Sequence, residues 1–137
     1  MSLVLDCSAT LAFLLPDEAS APSLALLDHV AAHGAWVPSL WKLEVANALT
    51  MAVRRGRIAQ PHRNAILHQL GRLDIQTDPE TSANAWGNTL TLADRHGLTL
   101  YDAAYLELSL RRNFALATLD AQLLKAAAAE GVGVYAA

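Results

Sequence analysis

Leu3-Val4-Leu5-Asp6-Cys7-Ser8-Ala9-Thr10-Leu11-Ala12-Phe13-Leu14-Leu15-Pro16 is the stretch on which the fold turns. Three consecutive apolar residues without polar alternation read as a strand buried on both faces. Asp6 ends that strand, Ser8 precedes the apolar run Ala9 to Leu15, and Pro16 stops it, so the order is strand, acidic residue, helix. The same order recurs downstream. A helix over about Ala19 to Ala32, with His29 and His33 in its last turn and Gly34 as its C-terminal cap, leads to a strand at Ala35-Trp36-Val37. Leu40 to about Arg55 and Gln60 to Leu70 read as helices, the second with Pro61 in its first turn, and Leu73-Asp74-Ile75 as a third strand. Pro79 to about His96, closed by Gly97, and Tyr101 to Arg112 read as two further helices. Phe114 to Leu119 is a fourth apolar run, Asp120 to Glu130 an alanine-rich helix, and Val132 to Tyr135 a short terminal strand. Strands alternating with helices predict a parallel sheet covered on both faces. Sites in such sheets form at the carboxyl ends of strands where the strand order reverses, so Asp6 and Asp120 are expected to meet there.

Composition bounds what such a chain can do. The 137 residues form one domain's worth, 1–137, and 53% hydrophobic against 17% charged residues excludes both intrinsic disorder and a disulfide scaffold. Cys7 is the single cysteine, has no partner for a bridge, and reads as a small buried hydrophobe. With no cleavable leader pattern, the mature chain is expected to begin at Met1 and to work in a reducing cytoplasm. No apolar stretch approaches the roughly 20 residues that span a bilayer. A net charge of −3 excludes a broad basic face for nucleic acid, so a polyanionic substrate would need local arginines or metal ions.

Four carboxylates stand where a carboxylate is awkward. Asp6 follows the first strand; alternatively it is a turn or capping residue. Glu44 lies in Trp41-Lys42-Leu43-Glu44-Val45-Ala46-Asn47-Ala48-Leu49-Thr50-Met51-Ala52-Val53, where Trp41, Ala48 and Met51 share its helical face. A helix apolar nearly all round is buried, and a buried carboxylate needs a cation or a salt bridge to an arginine. Asp102 in Leu100-Tyr101-Asp102-Ala103-Ala104-Tyr105 and Asp120 in Ala117-Thr118-Leu119-Asp120 each also read as helix N-caps. Taken jointly, acids after the first and fourth strands, on a buried helix, and at the start of a helix packed nearby form a cluster that repels itself without a cation. Oxygen ligands favour Mg2+ or Mn2+.

These residues resemble a known family. Val4-Leu5-Asp6-Cys7-Ser8, Leu43-Glu44-Val45-Ala46-Asn47-Ala48-Leu49, Leu100-Tyr101-Asp102-Ala103-Ala104-Tyr105 and Ala117-Thr118-Leu119-Asp120, in that order and spanning essentially the whole chain, resemble a PIN domain of the VapC-type ribonuclease toxins of toxin–antitoxin pairs. The resemblance implies an α/β fold, a PIN-like three-layer α/β/α sandwich around a central, mainly parallel sheet of four to five strands. It also implies that Asp6, Glu44, Asp102 and Asp120 hold one or two divalent metals, Mg2+ with Mn2+ as a substitute, and cleave RNA. Ser8, Asn47 and Thr118 match the polar positions beside that quartet; each also has an ordinary reading, as a local turn or cap for Ser8 and Thr118, or as a partner for a buried carbonyl for Asn47. A cognate antitoxin and a homodimer are the implied partners, with the helices Ala9 to Leu15 and Gln60 to Leu70 offering surface for either.

Other residues divide between function and structure. Arg54, Arg55 and Arg57 after the Glu44 helix, and Arg111 and Arg112 at the end of the Asp102 helix, could grip RNA phosphates, or could simply be basic residues favoured at helix C-termini. His29, His33, His62, His68 and His96 share no ligand-like arrangement with the acids, and Trp36, Trp41 and Trp86 read as core. Two other functions compete: a catalytically silent PIN-like module that binds a partner chain, and a small metal-dependent phosphatase. The latter wants an Asp-x-Asp run at the first strand, where this chain has Asp6-Cys7-Ser8.

Overall fold

The computed structural model describes residues 2–135. Four three-residue strands, β1 (Leu3–Leu5), β2 (Ala35–Val37), β3 (Ile75–Thr77) and β4 (Ala115–Ala117), form one all-parallel sheet in the order β3-β2-β1-β4. Between β1 and β2 lie α1 (Cys7–Leu14) and α2 (Ala21–His33), and between β2 and β3 lie α3 (Trp41–Arg54) and α4 (Gln60–Leu70). From β3 the chain passes through α5 (Thr81–Asn84), α6 (Asn88–His96) and α7 (Leu100–Arg112) to β4, and α8 (Ala121–Ala129) follows. Strand order advances from β1 through β2 to β3 and then reverses to place β4 on the far side of β1. Right-handed crossovers therefore put the two groups of helices on opposite faces. In keeping with this, α1 packs on α2 and α3, and α3 on α4, while α7 packs on α6, α8, β1 and β4. The result is the three-layer α/β/α sandwich.

Burial explains why the first strand lacks alternation. Leu3, Val4 and Leu5 are at most 1% exposed, because β1 is central and covered on both faces. α7 is the most deeply set helix, with Ala103 through Ser109 all buried. β3 is the edge strand and is largely exposed. That is why its apolar signal is weak and lies early: Leu73 sits in a turn, with the Ile75 amide donating to the Leu73 carbonyl at 3.0 Å, and the strand runs from Ile75 to Thr77 rather than over Leu73-Asp74-Ile75. Gly34 joins α2 to β2 at φ 74, and a Cβ there would lie 2.7 Å from the Asp74 carbonyl oxygen, so only glycine fits.

Other boundaries differ from the expected ones for identifiable reasons. α1 begins at Cys7, capped by Asp6 rather than preceded by Ser8, and α2 begins at Ala21 behind a Ser20–Ser23 capping box. The single helix expected over Pro79 to His96 is broken: the Gly87 amide donates to the Asn84 carbonyl at 3.1 Å, and Gly87 then caps α6. The break turns Trp86 outward to 92% exposure, so it is not a core residue. Trp41 is core, its indole N–H donating to Thr10 Oγ1 at 3.1 Å. Trp36 is half-buried, with the Arg112 guanidinium 3.8 Å above its ring. The terminal strand is reduced to one parallel bridge, Val134 beside Leu116.

Candidate active site at the carboxyl end of the sheet

The reversal of strand order brings β1 and β4 together with Leu5 opposite Ala117, so Asp6 and Thr118 leave the sheet side by side. The Asp6 amide donates to the Ala117 carbonyl at 3.1 Å. Asp6 is 4% exposed and its carboxylate heavily held: Oδ1 accepts from the Ala9 amide and the Ser8 hydroxyl, both at 2.8 Å, and Oδ2 accepts from the Thr118 hydroxyl. Asp6 does cap α1, but the cap uses only part of its acceptor capacity.

Thr118 then carries the geometry to Asp120, whose amide donates to Thr118 Oγ1 at 3.0 Å while the Leu119 amide donates to Ser8 Oγ at 3.0 Å. Asp120 caps α8, accepting from the Leu123 amide at 2.8 Å. Asp6 and Asp120 are thus tied through one threonine at the strand ends, as the reversal of order requires. Ser8 and Thr118 serve the site rather than a distant turn, since each bonds both the Asp6 carboxylate and the backbone of the β4–α8 loop.

Asp102 is not a helix cap. Thr99 caps α7, accepting from the Asp102 amide at 3.1 Å, and Asp102 stands in the first turn with its carboxylate half-buried. Glu44 stands in the first turn of α3, likewise half-buried. α3 is buried only along Trp41, Val45, Leu49 and Ala52, with Leu43 and Asn47 exposed, so its apolar residues do not enclose it all round. Glu44 meets no arginine among the described residues; the Tyr105 hydroxyl donates to its Oε1. Tyr105 is the site residue that sequence reasoning missed. Its signal was faint: it lies three residues after Asp102, on the same side of one helix.

Electrostatics links the four acids through Asp102, which acts on Asp6 and Glu44 and is acted on by Asp120. Burial pushes the Asp6 carboxyl above its ordinary value against the pull of the Ala9, Thr118 and Ser8 bonds, and the Asp102 charge adds to the rise. Glu44 is likewise raised, by burial first, opposed by Tyr105, with Asp102 and Asp6 contributing. Burial and then the charge of Asp120 raise Asp102. None of the four has an ion-pair partner among the described residues. Cys7, half-buried beside them, has its thiol pushed up to about 12 by burial and by Glu44, Asp6 and Glu18, so it stays protonated. Tyr105 is pushed up as well, by burial and by Glu44, and remains a donor.

Whether these residues fit a divalent metal turns on two observations. All of the donors are hard oxygens, and burial with neighbouring carboxylate charge raises the proton affinity of Asp6, Glu44 and Asp102, an effect that a bound Mg2+ or Mn2+ would relieve. Among the described residues, however, no three acidic, histidine or cysteine side chains are drawn tightly enough together to close on one ion. The two agree for Mg2+, which keeps several waters and takes one or two direct carboxylates rather than a closed cage. The residues fit.

The arginines separate. Arg54 and Arg55 are exposed at the end of α3, whereas Arg57 is turned to Asp17 at 2.8 Å and Glu18 at 3.2 Å. Arg111 grips buried Asp78 and Glu107 at 2.6 and 2.9 Å, and Arg112 reaches Asp78 at 3.2 Å. That network engages both of them within the fold. His96 pairs with Glu130 at 2.6 Å, away from the quartet. Asn47 is exposed one turn along α3 from Glu44.

A parallel α/β sandwich with Asp6 and Asp120 at its switch point and Glu44 and Asp102 on the helices beside it presents an acidic site of the kind metal-dependent hydrolases use. The PIN-domain model matches residues 3–129, and the chain belongs to the PIN-domain family. It is 32% identical over 123 residues, covering 90% of this chain and 92% of its relative, to Ribonuclease VapC3 of Pyrobaculum aerophilum. Among solved structures it resembles PAE2754 of Pyrobaculum aerophilum at 26% identity and TM-score 0.62, over 92% of this chain and 87% of that one. FitAcB of Neisseria gonorrhoeae superposes with TM-score 0.67 at 18% identity over 98% of this chain and 96% of that one. VapBC2 of Rickettsia felis, bound to a DNA fragment from their promoter, does so with TM-score 0.64 at 15% identity over 91% and 92%. These last two likenesses establish the shared fold.

Proposed function

We propose that this chain, as one domain, is a metal-dependent endoribonuclease that hydrolyses RNA phosphodiester bonds, and the toxin of a type II toxin–antitoxin pair. The observation that carries the reading is the quartet of Asp6, Glu44, Asp102 and Asp120, without an ion-pair partner among the described residues and with Asp6, Glu44 and Asp102 raised in proton affinity, in a chain 32% identical to Ribonuclease VapC3. Asp6, Glu44, Asp102 and Asp120 would hold Mg2+, with Mn2+ able to substitute. What the bound cation supplies is positive charge against the phosphate and a more acidic water. Asp6 is the fixed point of the site, because three donors leave its carboxylate little freedom to rotate. Ser8 and Thr118 maintain that orientation and tie the β4–α8 loop that carries Asp120 to it. Arg54 and Arg55, free of intramolecular ion pairs among the described residues, would take RNA phosphates along α3.

A cognate antitoxin and a second copy of the chain are the proposed protein partners, and the cytoplasm the proposed location. No helix among the described residues is long and apolar enough to cross a membrane. The test is cleavage of mixed cellular RNA by the purified chain with Mg2+ or Mn2+ against EDTA, with Asp102→Asn as the contamination control. Metal-dependent fragments from the intact quartet alone support the reading. No cleavage with either metal turns the weight to a partner-binding module.

A further inference from the structure

The acids of the quartet are not held alike. Asp6 is held at its own strand end and by the neighbouring strand, through Ala9, Ser8 and Thr118, and Asp120 by the Leu123 amide of the helix it caps. Glu44 and Asp102 stand on two different helices, and α3 packs on α1 and α4 while α7 packs on α6, α8 and the sheet. Their spacing is therefore not set by the strand ends. We propose that the Tyr105 hydroxyl is a positioning group that braces α7 against α3 and holds the Glu44 carboxylate in register with Asp102 for metal binding. This rests on the quartet reading given above.

The geometry supports a brace rather than plain packing. Tyr105 is 1% exposed, in the most deeply buried helix of the fold, so its ring is fixed by the core and its hydroxyl with it. It lies one turn from Asp102 on α7, so a shift of that helix moves both together. Glu44 has three side-chain torsions and is only half-buried, and Tyr105 is the hydrogen-bond partner of its carboxylate among the described residues. The bond anchors one carboxylate oxygen and leaves acceptor capacity on both for a cation. Groups that orient a metal-binding side chain in this way typically matter by 10- to 100-fold in metal affinity or activity.

Tyr105→Phe removes the hydroxyl and keeps the ring. Mn2+ binding by the purified chain, followed by electron paramagnetic resonance of the free ion, should weaken by about 10-fold or more. The thermal midpoint in EDTA should stay close to that of the parent. In a Glu44→Gln chain the same Tyr105→Phe change should cost no further Mn2+ affinity, because the carboxylate it serves is gone. Two results would overturn the inference: Mn2+ bound by Tyr105→Phe as tightly as by the parent, or an equal loss with and without the Glu44 carboxylate. A parent chain that binds no Mn2+ is a different failure. It would sink the quartet reading itself.

Discussion

Replacing Asp6 by asparagine and by alanine separates a carboxylate kept for its charge from one kept for its hydrogen bonds. Asp6 accepts from the Ala9 amide, Ser8 and Thr118 while almost fully buried. Asparagine keeps the volume and one oxygen for the helix cap, and its amide can donate to the Ser8 or Thr118 hydroxyl, which can turn to accept. The stability cost in EDTA should be within about 1 kcal/mol, since the lost bonds are offset by removal of a buried charge that burial and Asp102 already disfavour. Alanine removes a cap worth ~1 kcal/mol and leaves two hydroxyls short of a partner at ~1–3 kcal/mol each. With relief of the charge subtracted, roughly 2–4 kcal/mol should be lost, or about 8–16 °C in Tm for a chain of this size. Urea and thermal unfolding in EDTA at pH 7 measure this, with Mn2+ binding and RNA cleavage run on the same samples. Asparagine should abolish both functions while keeping the fold. An asparagine variant as unstable as the alanine one would make the charge structural, and one that cuts RNA at the parental rate would refute the proposed mechanism.

Two further outcomes follow from the charges. Arg111→Met leaves buried Asp78 and Glu107 without their shared guanidinium and should cost about 3–5 kcal/mol in denaturant unfolding at pH 7. Asp78 feels burial pushing its carboxyl up, but the bonds and charges of Arg111 and Arg112 hold it below the ordinary range; its contribution is therefore present above about pH 4 and lost as pH falls through the lowered value, a dependence the variant should weaken. The quartet has the opposite sign. Asp6, Glu44 and Asp102 are raised, so their contribution is full below about pH 4 and is lost as pH climbs through the raised values. Metal-free protein should thus lose stability as pH rises above about 4, and Mn2+ at 100 times its Kd should restore about 2.7 kcal/mol at pH 7. A flat profile, unmoved by Mn2+, would count against a metal-binding quartet.

Much of this molecule was legible in its chain. Leu3-Val4-Leu5, Ala35-Trp36-Val37 and the run through Ala117 announce parallel strands because cover on both faces demands unbroken apolar sequence. The acids stood out because each ends a strand or opens a helix, and the reversal of strand order sends Asp6 and Asp120 to one edge. What the chain did not display were features set by contact between distant segments. The edge strand β3 needs no apolar face, so Leu73 misplaced it. The helix over Pro79 to His96 breaks at Trp86-Gly87 although nothing in its apolar pattern marks the break. Arginines of one appearance take three fates, because only tertiary proximity brings Asp17 to Arg57 and Asp78 to Arg111 while leaving Arg54 exposed.

By itself, then, the sequence determined the sheet, its helical cover and the four acids, because periodicity and strand-end position are local properties of the backbone. Tertiary structure alone decided how those acids are held: Thr118 linking Asp6 to Asp120, and Tyr105 reaching across 61 residues of chain to Glu44. The physical reason is that a hydrogen bond requires its two atoms within about 3 Å, and no local pattern encodes which buried hydroxyl will arrive at which carboxylate.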